Sequence, residues 1–301
     1  MYKEIQCKSA CNKVKRKMPY KYDLNVYRGC EHGCKYCYAL YSHKYLNSTN
    51  YYDDIYVKTN IVEKLKKQLS KSSWKKEIIA IGTVSDSYQS IEAEYELMPK
   101  ILKTLIKYKN PTIISTKSNL ILRDFDLIEE LSNLTYVNIA STITTKDEKL
   151  AKIIEPKAST VKERFQILDK FKNTNASVAM HMMPIIPYIT DSYENINSLF
   201  KQASGIDVNY ALYGPLNLYG KTRKSFFKFI KDDFPNCYED IRKVYGSNPF
   251  PNKEYKKELY SKIYKIRKKH NLSSNYINSI KEKTKEFKNK DKQVTLYDLT
   301  N

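Results

Sequence analysis

The stretch NVYRGCEHGCKYCYAL, residues 25–40, holds three cysteines, Cys30, Cys34 and Cys37, within eight residues. Their spacing is C-x3-C-x2-C, and Tyr36 stands directly before the third. Three thiolates this close in sequence can fold around one metal centre. Iron–sulfur clusters take cysteine thiolates as ligands, and a [4Fe–4S] cluster usually takes four. Three protein ligands would leave one iron open to bind and activate a small molecule. A closed zinc site also uses cysteine, but it wants four ligands, often two pairs across a loop. His32 or His43 could supply a fourth, although no second C-x2-C pair follows. A chance group of buried thiols is the third reading that the spacing allows.

Length and composition bound the rest. A chain of 301 residues suffices for one large α/β domain with an extension, or for two modest domains. No run of 18 apolar residues occurs, so no transmembrane helix and no membrane partner are expected. The N-terminus, MYKEIQCKSACNKVKRK, is charged and lacks the apolar core of a secretory signal. Six cysteines, three of them packed together, do not resemble a secreted disulfide framework. A cytoplasmic protein is therefore expected. The net charge of +20, from 53 basic and 33 acidic residues, suggests a polyanionic partner, most often nucleic acid. The same abundance of Lys, Asn, Ile and Tyr with only 7 glycines is also what an A/T-rich genome produces. Residues 216–301 hold about half of the excess charge in under a third of the length.

Beyond the cysteines, helical and strand patterns alternate. Ile61, Leu65 and Leu69 give helical spacing over 60–70, with Asn60 as the N-cap. Residues 77–82 (EIIAIG), 112–116 (TIIST), 135–142 (TYVNIAST), 176–183 (ASVAMHMM) and 207–213 (DVNYALY) read as strands. Helices are expected over 92–108, from Asp124 through Leu131, over 159–172 and from Ser192. With a strand just before Cys30 this gives about six βα units. The predicted fold is α/β: a partial (β/α)6 TIM-like barrel over residues 25–215, after a basic N-terminal segment, 1–24. A basic, mainly helical extension, 216–301, completes the chain. Pro249 and Pro251 break that extension, and one short β-like piece is expected in 291–301. In such a barrel the loops after the strands gather at one end, where active sites form.

Six ordered pieces carry a family resemblance: NVYRGCEHGCKYCYA, GTVSDSYQ (82–89), STKSNLILRD (115–124), STITTKD (141–147), IEPKAS (154–159) and MPIIPYITD (183–191). Together they resemble the radical S-adenosylmethionine (SAM) enzymes, in the subfamily that contains spore photoproduct lyase and its DNA repair photolyase-related relatives. The resemblance implies roles residue by residue. Cys30, Cys34 and Cys37 would ligate a [4Fe–4S] cluster whose open iron is chelated by the amino and carboxylate groups of SAM. Tyr36 would pack near the adenine. Ser85, Lys117 and Ser141, each at the end of a predicted strand, would hold the SAM carboxylate or ribose; a lysine pairs with carboxylate, and serine hydroxyls serve ribose oxygens. The implied reaction is reductive cleavage of SAM to methionine and a 5′-deoxyadenosyl radical that abstracts hydrogen from a substrate. A flavodoxin or ferredoxin is the implied electron donor.

The chain also departs from the lyase. Spore photoproduct lyase has a hydrogen-donating cysteine two residues before the serine matching Ser85, and this chain has Thr83 there. A threonine O–H bond is too strong to quench a carbon radical as a thiol does. The chain is thus not expected to be spore photoproduct lyase itself, and Tyr38 or Tyr88 is a candidate radical relay. Cys7, Cys11 and Cys237 would be incidental thiols or an auxiliary-cluster set. His181, ending a strand, would point near the barrel mouth. Tyr255, Tyr260, Tyr264 and Tyr276 either stack on bases between basic side chains or pack on the barrel. The substrate is expected to be a nucleic acid or nucleotide. The alternatives are a peptide or small metabolite under the same chemistry, or a zinc-stabilised nucleic-acid-binding module with no enzymatic activity.

Overall fold

A computed structural model describes residues 1–297 apart from 16, 17, 47 and 49. Its strands are β1 (Tyr2–Ile5), β2 (Cys11–Lys13), β3 (Tyr22–Leu24), β4 (Tyr27–Arg28), β5 (Ile55–Lys58), β6 (Ile79–Ile81), β7 (Thr112–Thr116), β8 (Val137–Thr142), β9 (Ser177–Ile185) and β10 (Tyr210–Pro215). β3, β6, β7, β8, β9 and β10 are parallel neighbours in that order, the six units of a partial barrel. The antiparallel strand β2 lies outside β3. The N-terminal residues also supply β1, which pairs with β5 beside β4 in a separate three-stranded sheet. These short strands lack the long apolar runs that mark the barrel strands.

The barrel strands are buried on both faces, as in β8, where all six residues are inaccessible. One face packs on helices Ile61–Leu69, Leu97–Tyr108, Phe125–Leu134, Val161–Phe171 and Tyr193–Ile206 to form the main core, which includes Ile114, Ile139, Phe165 and Leu199. The opposite, inner face carries Ala140, Ala179 and Tyr210 as a small separate cluster. The register sets Ser115, Ala140 and Ala179 side by side on three adjoining strands. Such small residues leave room inside the barrel.

Several local expectations change. The helix expected over 92–108 is two pieces, Glu92–Tyr95 and Leu97–Tyr108, because Glu96 adopts φ +45° between them. Asp124 precedes a helix but does not cap it; its carboxylate instead accepts from the Arg123 guanidinium at 2.8 and 3.0 Å. That helix runs on to Leu134. Thr160 and Glu163 do form a capping box, and the Ser192 hydroxyl accepts from Asn195 N–H.

The extension folds as helices Gly220–Asp233, Pro235–Tyr245, Lys253–Lys269 and Tyr276–Tyr297, interrupted over 246–252 as the prolines require. The β-like piece expected in 291–301 is not a strand: the last helix continues through Tyr297, and 298–301 lie outside the described residues. Ala211 N–H donates to the Ser273 carbonyl at 2.8 Å, Tyr276 packs on Tyr210 and the Ser279 hydroxyl meets Ser177, so the extension closes the free side of β10. Among the described residues no helix is long and apolar enough to cross a membrane.

A second core joins the extension to the cysteine loop. It gathers Cys34 and Tyr36 with Ile154, Ile186, Leu216, Phe226, Ile230 and Ile241. Phe226→Ala is expected to lower stability by about 3–5 kcal/mol. It should also open the loop to limited trypsin cleavage after Lys35 under native conditions. Phe200→Ala, in the main core, should cost as much while leaving Lys35 protected; equal cleavage of both variants would contradict a separate second core.

Candidate active site

The cysteine loop leaves β4 through Gly29, at φ +86°, where an added Cβ would lie 2.6 Å from the Asp54 carbonyl oxygen. Tertiary hydrogen bonds then hold its backbone, among them Glu31 N–H to the Gln89 side-chain oxygen at 2.9 Å. Cys30 N–H donates to the Tyr51 carbonyl at 3.2 Å and Lys35 N–H to the Ile154 carbonyl at 2.9 Å. Lys157 N–H donates to the His32 carbonyl at 3.1 Å. The Tyr52 hydroxyl donates to the Cys34 carbonyl at 2.7 Å, and the Thr222 hydroxyl to the Cys37 carbonyl at 2.8 Å. The last bond comes from the first turn of helix Gly220–Asp233, so the extension grips the loop at its third cysteine.

Burial dominates the thiol chemistry. It pushes Cys30 up to about 12, with Asp86 and Cys37 adding to the rise. Burial also raises Cys34 and Cys37, against the lowering field of Lys117. Such thiols stay protonated at neutral pH unless a cationic centre replaces their protons, which is what metal or cluster binding does. Lys117 has no ion-pair partner among the described residues. Its ammonium stands 5.8 Å from the centre of the Tyr36 ring. A neutral thiol set beside an unpaired cation fits a cluster together with an anionic co-ligand.

Asp86 is the hub that sequence reading missed. Its carboxylate accepts from His32 Nε2 at 2.9 Å, the Thr116 hydroxyl at 2.8 Å, Lys117 N–H at 2.8 Å and Tyr88 N–H at 2.9 Å. Burial opposes its charge, but His32 and the backbone donors more than offset that and hold it down to about 2. A bare Asp inside GTVSDSYQ gives no signal of four partners from three separate segments. Asn25 is similar: its side-chain oxygen accepts from Val84 N–H at 2.7 Å, and its amide donates to the Thr83 hydroxyl at 2.9 Å.

The expected site residues divide. Cys34, Tyr36 and Cys37 share one apolar cluster, and Lys117 acts on both thiols. The Tyr36 hydroxyl donates to Glu155, which is fully buried and paired with Arg164. The Ser85 hydroxyl donates to the Tyr27 carbonyl at 2.9 Å. Ser141 is inaccessible and its hydroxyl has no partner. It pairs in register with Thr116, on the strand face of Ile139 rather than on the inner face. The Tyr38 side chain is 54% exposed and donates to the Thr83 carbonyl. Tyr88 is fully buried, and after burial its titration is governed by Asp124 rather than by the cysteines. His181 lies on the inner face, its Nε2 unpartnered, lowered to about 4 by burial and Lys117.

Other expectations are corrected. Both ring nitrogens of His32 are engaged, by Asp86 and by the Lys157 carbonyl, so it is no metal ligand here. His43 Nε2 meets the Asp54 carbonyl. Among the described residues no three His, Cys, Asp or Glu side chains converge to hold a single ion, so a mononuclear zinc site finds no ligand set. A cluster differs, because each thiolate meets its own iron. The Cys7 thiol donates to Asn60 and lies with Cys11 in the main core, whereas Cys237 packs on the second core, so the three thiols are not brought together as one auxiliary set.

Residues 24–200 match the model of the radical SAM superfamily. The chain belongs to the radical SAM superfamily. It is thus a radical SAM enzyme, and the cofactors of that family are a [4Fe–4S] cluster and SAM. An uncharacterized protein of Mycobacterium tuberculosis is 30% identical over 280 residues, 91% of this chain and 82% of that protein. One of Methanocaldococcus jannaschii is 31% identical over 245 residues, 81% of this chain and 86% of its own. In structure, spore photoproduct lyase complexed with dinucleoside spore photoproduct matches with a TM-score of 0.66 at 16% identity, over 89% of this chain and 79% of that one. A variant of that lyase with bound AdoMet and dinucleoside spore photoproduct matches at 0.64 and 16%, over 89% and 78%. At such identity the likeness is one of fold.

Asp86→Ala should lower unfolding stability by about 3–5 kcal/mol, since it strips a buried charge from four donors. Asp169→Ala, at an exposed surface pair, should change it by under about 1 kcal/mol. Similar denaturation midpoints for the two variants would remove Asp86 from its position as hub.

Proposed function

We propose that this enzyme uses radical SAM chemistry on a nucleic-acid or nucleotide substrate, with Cys30, Cys34 and Cys37 as the cluster ligands. The observation that carries the reading is the thiol set, Cys34 buried and Cys30 and Cys37 half-buried, beside the unpaired ammonium of Lys117 and packed against a basic extension. When bound, the cluster and SAM supply a 5′-deoxyadenosyl radical.

The protein's own residues bind, orient and exclude water. Lys117 pairs with the SAM carboxylate, and the buried Tyr36 ring, fixed through Glu155, packs at the adenine. Ser85 keeps acceptor capacity beyond its bond to Tyr27, and the unpartnered Ser141 hydroxyl is available for a polar partner. The second core keeps water from the loop. The fold of the lyase and the net charge of +20 support a nucleic-acid substrate. The chemistry needs a reductant; a flavodoxin or ferredoxin, both acidic carriers, suits the basic surface. Six free thiols support a reducing, cytoplasmic setting.

Hydrogen return differs from that of the lyase. The Thr83 hydroxyl accepts from the Asn25 amide, and its O–H bond is too strong for it to serve as a hydrogen-atom donor. Tyr38 reaches the Thr83 carbonyl from the residue after Cys37, which supports it as the relay ahead of Tyr88, enclosed near Asp124.

After anaerobic reconstitution with iron and sulfide, wild type given SAM and dithionite should yield 5′-deoxyadenosine by mass spectrometry. The variant with Cys30, Cys34 and Cys37 changed to Ala should yield none. Lys117→Ala should keep its iron but bind SAM about tenfold or more weakly in equilibrium dialysis. Product from the triple variant would sink the assignment. In deuterated water, products of wild type and of Tyr38→Leu turned over with nucleic acid should differ in deuterium content, while Tyr88→Phe should match wild type. A Tyr38 variant indistinguishable from wild type would end its role as relay.

A further inference from the structure

The segment after β10 and the break at 246–252 are fastened together at the barrel mouth. Leu218 N–H donates to the Pro249 carbonyl at 2.7 Å, and the Tyr245 hydroxyl to the Leu216 carbonyl at 2.8 Å. Arg223 donates to the Asn248 carbonyl at 2.6 Å and to the Gly246 carbonyl. This fixes two exposed rings edge to face: Tyr219, 55% exposed, and Phe250, 45% exposed, with centroids 5.3 Å apart. Tyr219 is three residues before Thr222, whose hydroxyl holds the Cys37 carbonyl.

Behind Phe250 lies a cavity of about 310 Å³. Its lining includes the buried Val244, Tyr245 and Pro251, the exposed Phe250, and the side chains of Lys253 and Lys256. Neither lysine has an ion-pair partner among the described residues. The volume suits a small ligand rather than a helix or strand. An apolar lining with an aromatic ring accepts the flat face of a base, and the lysines meet the phosphates on either side.

Resting on the nucleic-acid reading above, we propose that this cavity seats one unpaired nucleotide of a single-stranded segment. Tyr219 and Phe250 then guide the strand towards the cysteine loop. The substrate class is therefore single-stranded or locally unpaired nucleic acid, because a base inside a duplex cannot present its face to Phe250.

The test is fluorescence anisotropy with reconstituted enzyme and labelled single-stranded DNA, single-stranded RNA and duplex DNA of one sequence, over a range of salt. Wild type should bind a single strand more tightly than the duplex, and the two single-strand arms identify the sugar. Phe250→Ala should weaken that binding about tenfold, and Phe250→Tyr should restore it. The pair Lys253→Glu with Lys256→Glu should reduce the slope of log affinity on log salt by about 1.4. The pair Lys66→Glu with Lys67→Glu, of equal charge change on an exposed helix face, should leave that slope near wild type. Phe250→Trp should show fluorescence quenched by the bound strand, beyond the signal of Trp74 in wild type. Binding by wild type that all variants share, or preference for duplex, would overturn the seat alone. No binding of any nucleic acid would overturn the reading on which it rests.

Discussion

The burial of the cysteine loop against the C-terminal extension is the constraint on which the site depends. A loop of this sequence, with two short polar intervals between its three cysteines, has no regular structure of its own to fix it. Its carbonyls and N–H groups are instead satisfied from remote places, including Gln89, Ile154, Tyr52 and Thr222. Cys34 and Tyr36 then become part of an apolar core with Phe226 and Ile241. The extension is thus a wall of the site, and its helices carry a surface that faces whatever approaches the barrel mouth. The price of that burial is a set of thiols that resist ionisation, which couples the stability of the loop to occupation by a cationic centre.

Much of the barrel was legible because parallel strands buried on both faces must be written as apolar, β-branched runs. TIIST at 112–116 is a strand over its whole length, and β8 and β9 match within two residues. The helices with a strong apolar stripe were equally plain, as at Ile61–Leu69, although Asn60, expected to cap that helix, instead bonds the backbone of Cys7. What escaped was whatever depends on distant partners. β1 and β5 are strands of four residues that form only with β4 in a three-stranded sheet built from separate parts of the chain. The break at Glu96 and the diversion of Asp124 to Arg123 come from tertiary packing around Glu92, Arg123 and Tyr27.

The same division holds in the site. The three cysteines announce themselves by spacing, and Tyr36 and Lys117 follow from the motifs around them. Asp86, Asn25 and Glu155 do not, because an acid or amide is an ordinary surface residue until the fold buries it against several donors. Thr83 shows the value of a departure: its hydroxyl is tied to Asn25, and the exposed ring of Tyr38 reaches its carbonyl. The chain shares the fold of the lyase, and it carries Thr83 where the resemblance would place a hydrogen-donating cysteine.

The account stands on which cysteines hold iron. Six single variants, each with one cysteine changed to Ala, would be reconstituted anaerobically and assayed for iron, sulfide and zinc per chain. About four irons are expected in wild type and in the variants at Cys7, Cys11 and Cys237. Loss is expected in each variant at Cys30, Cys34 and Cys37. Iron retained in those three, or one zinc per chain in place of iron, would contradict the assignment of the loop as the cluster site.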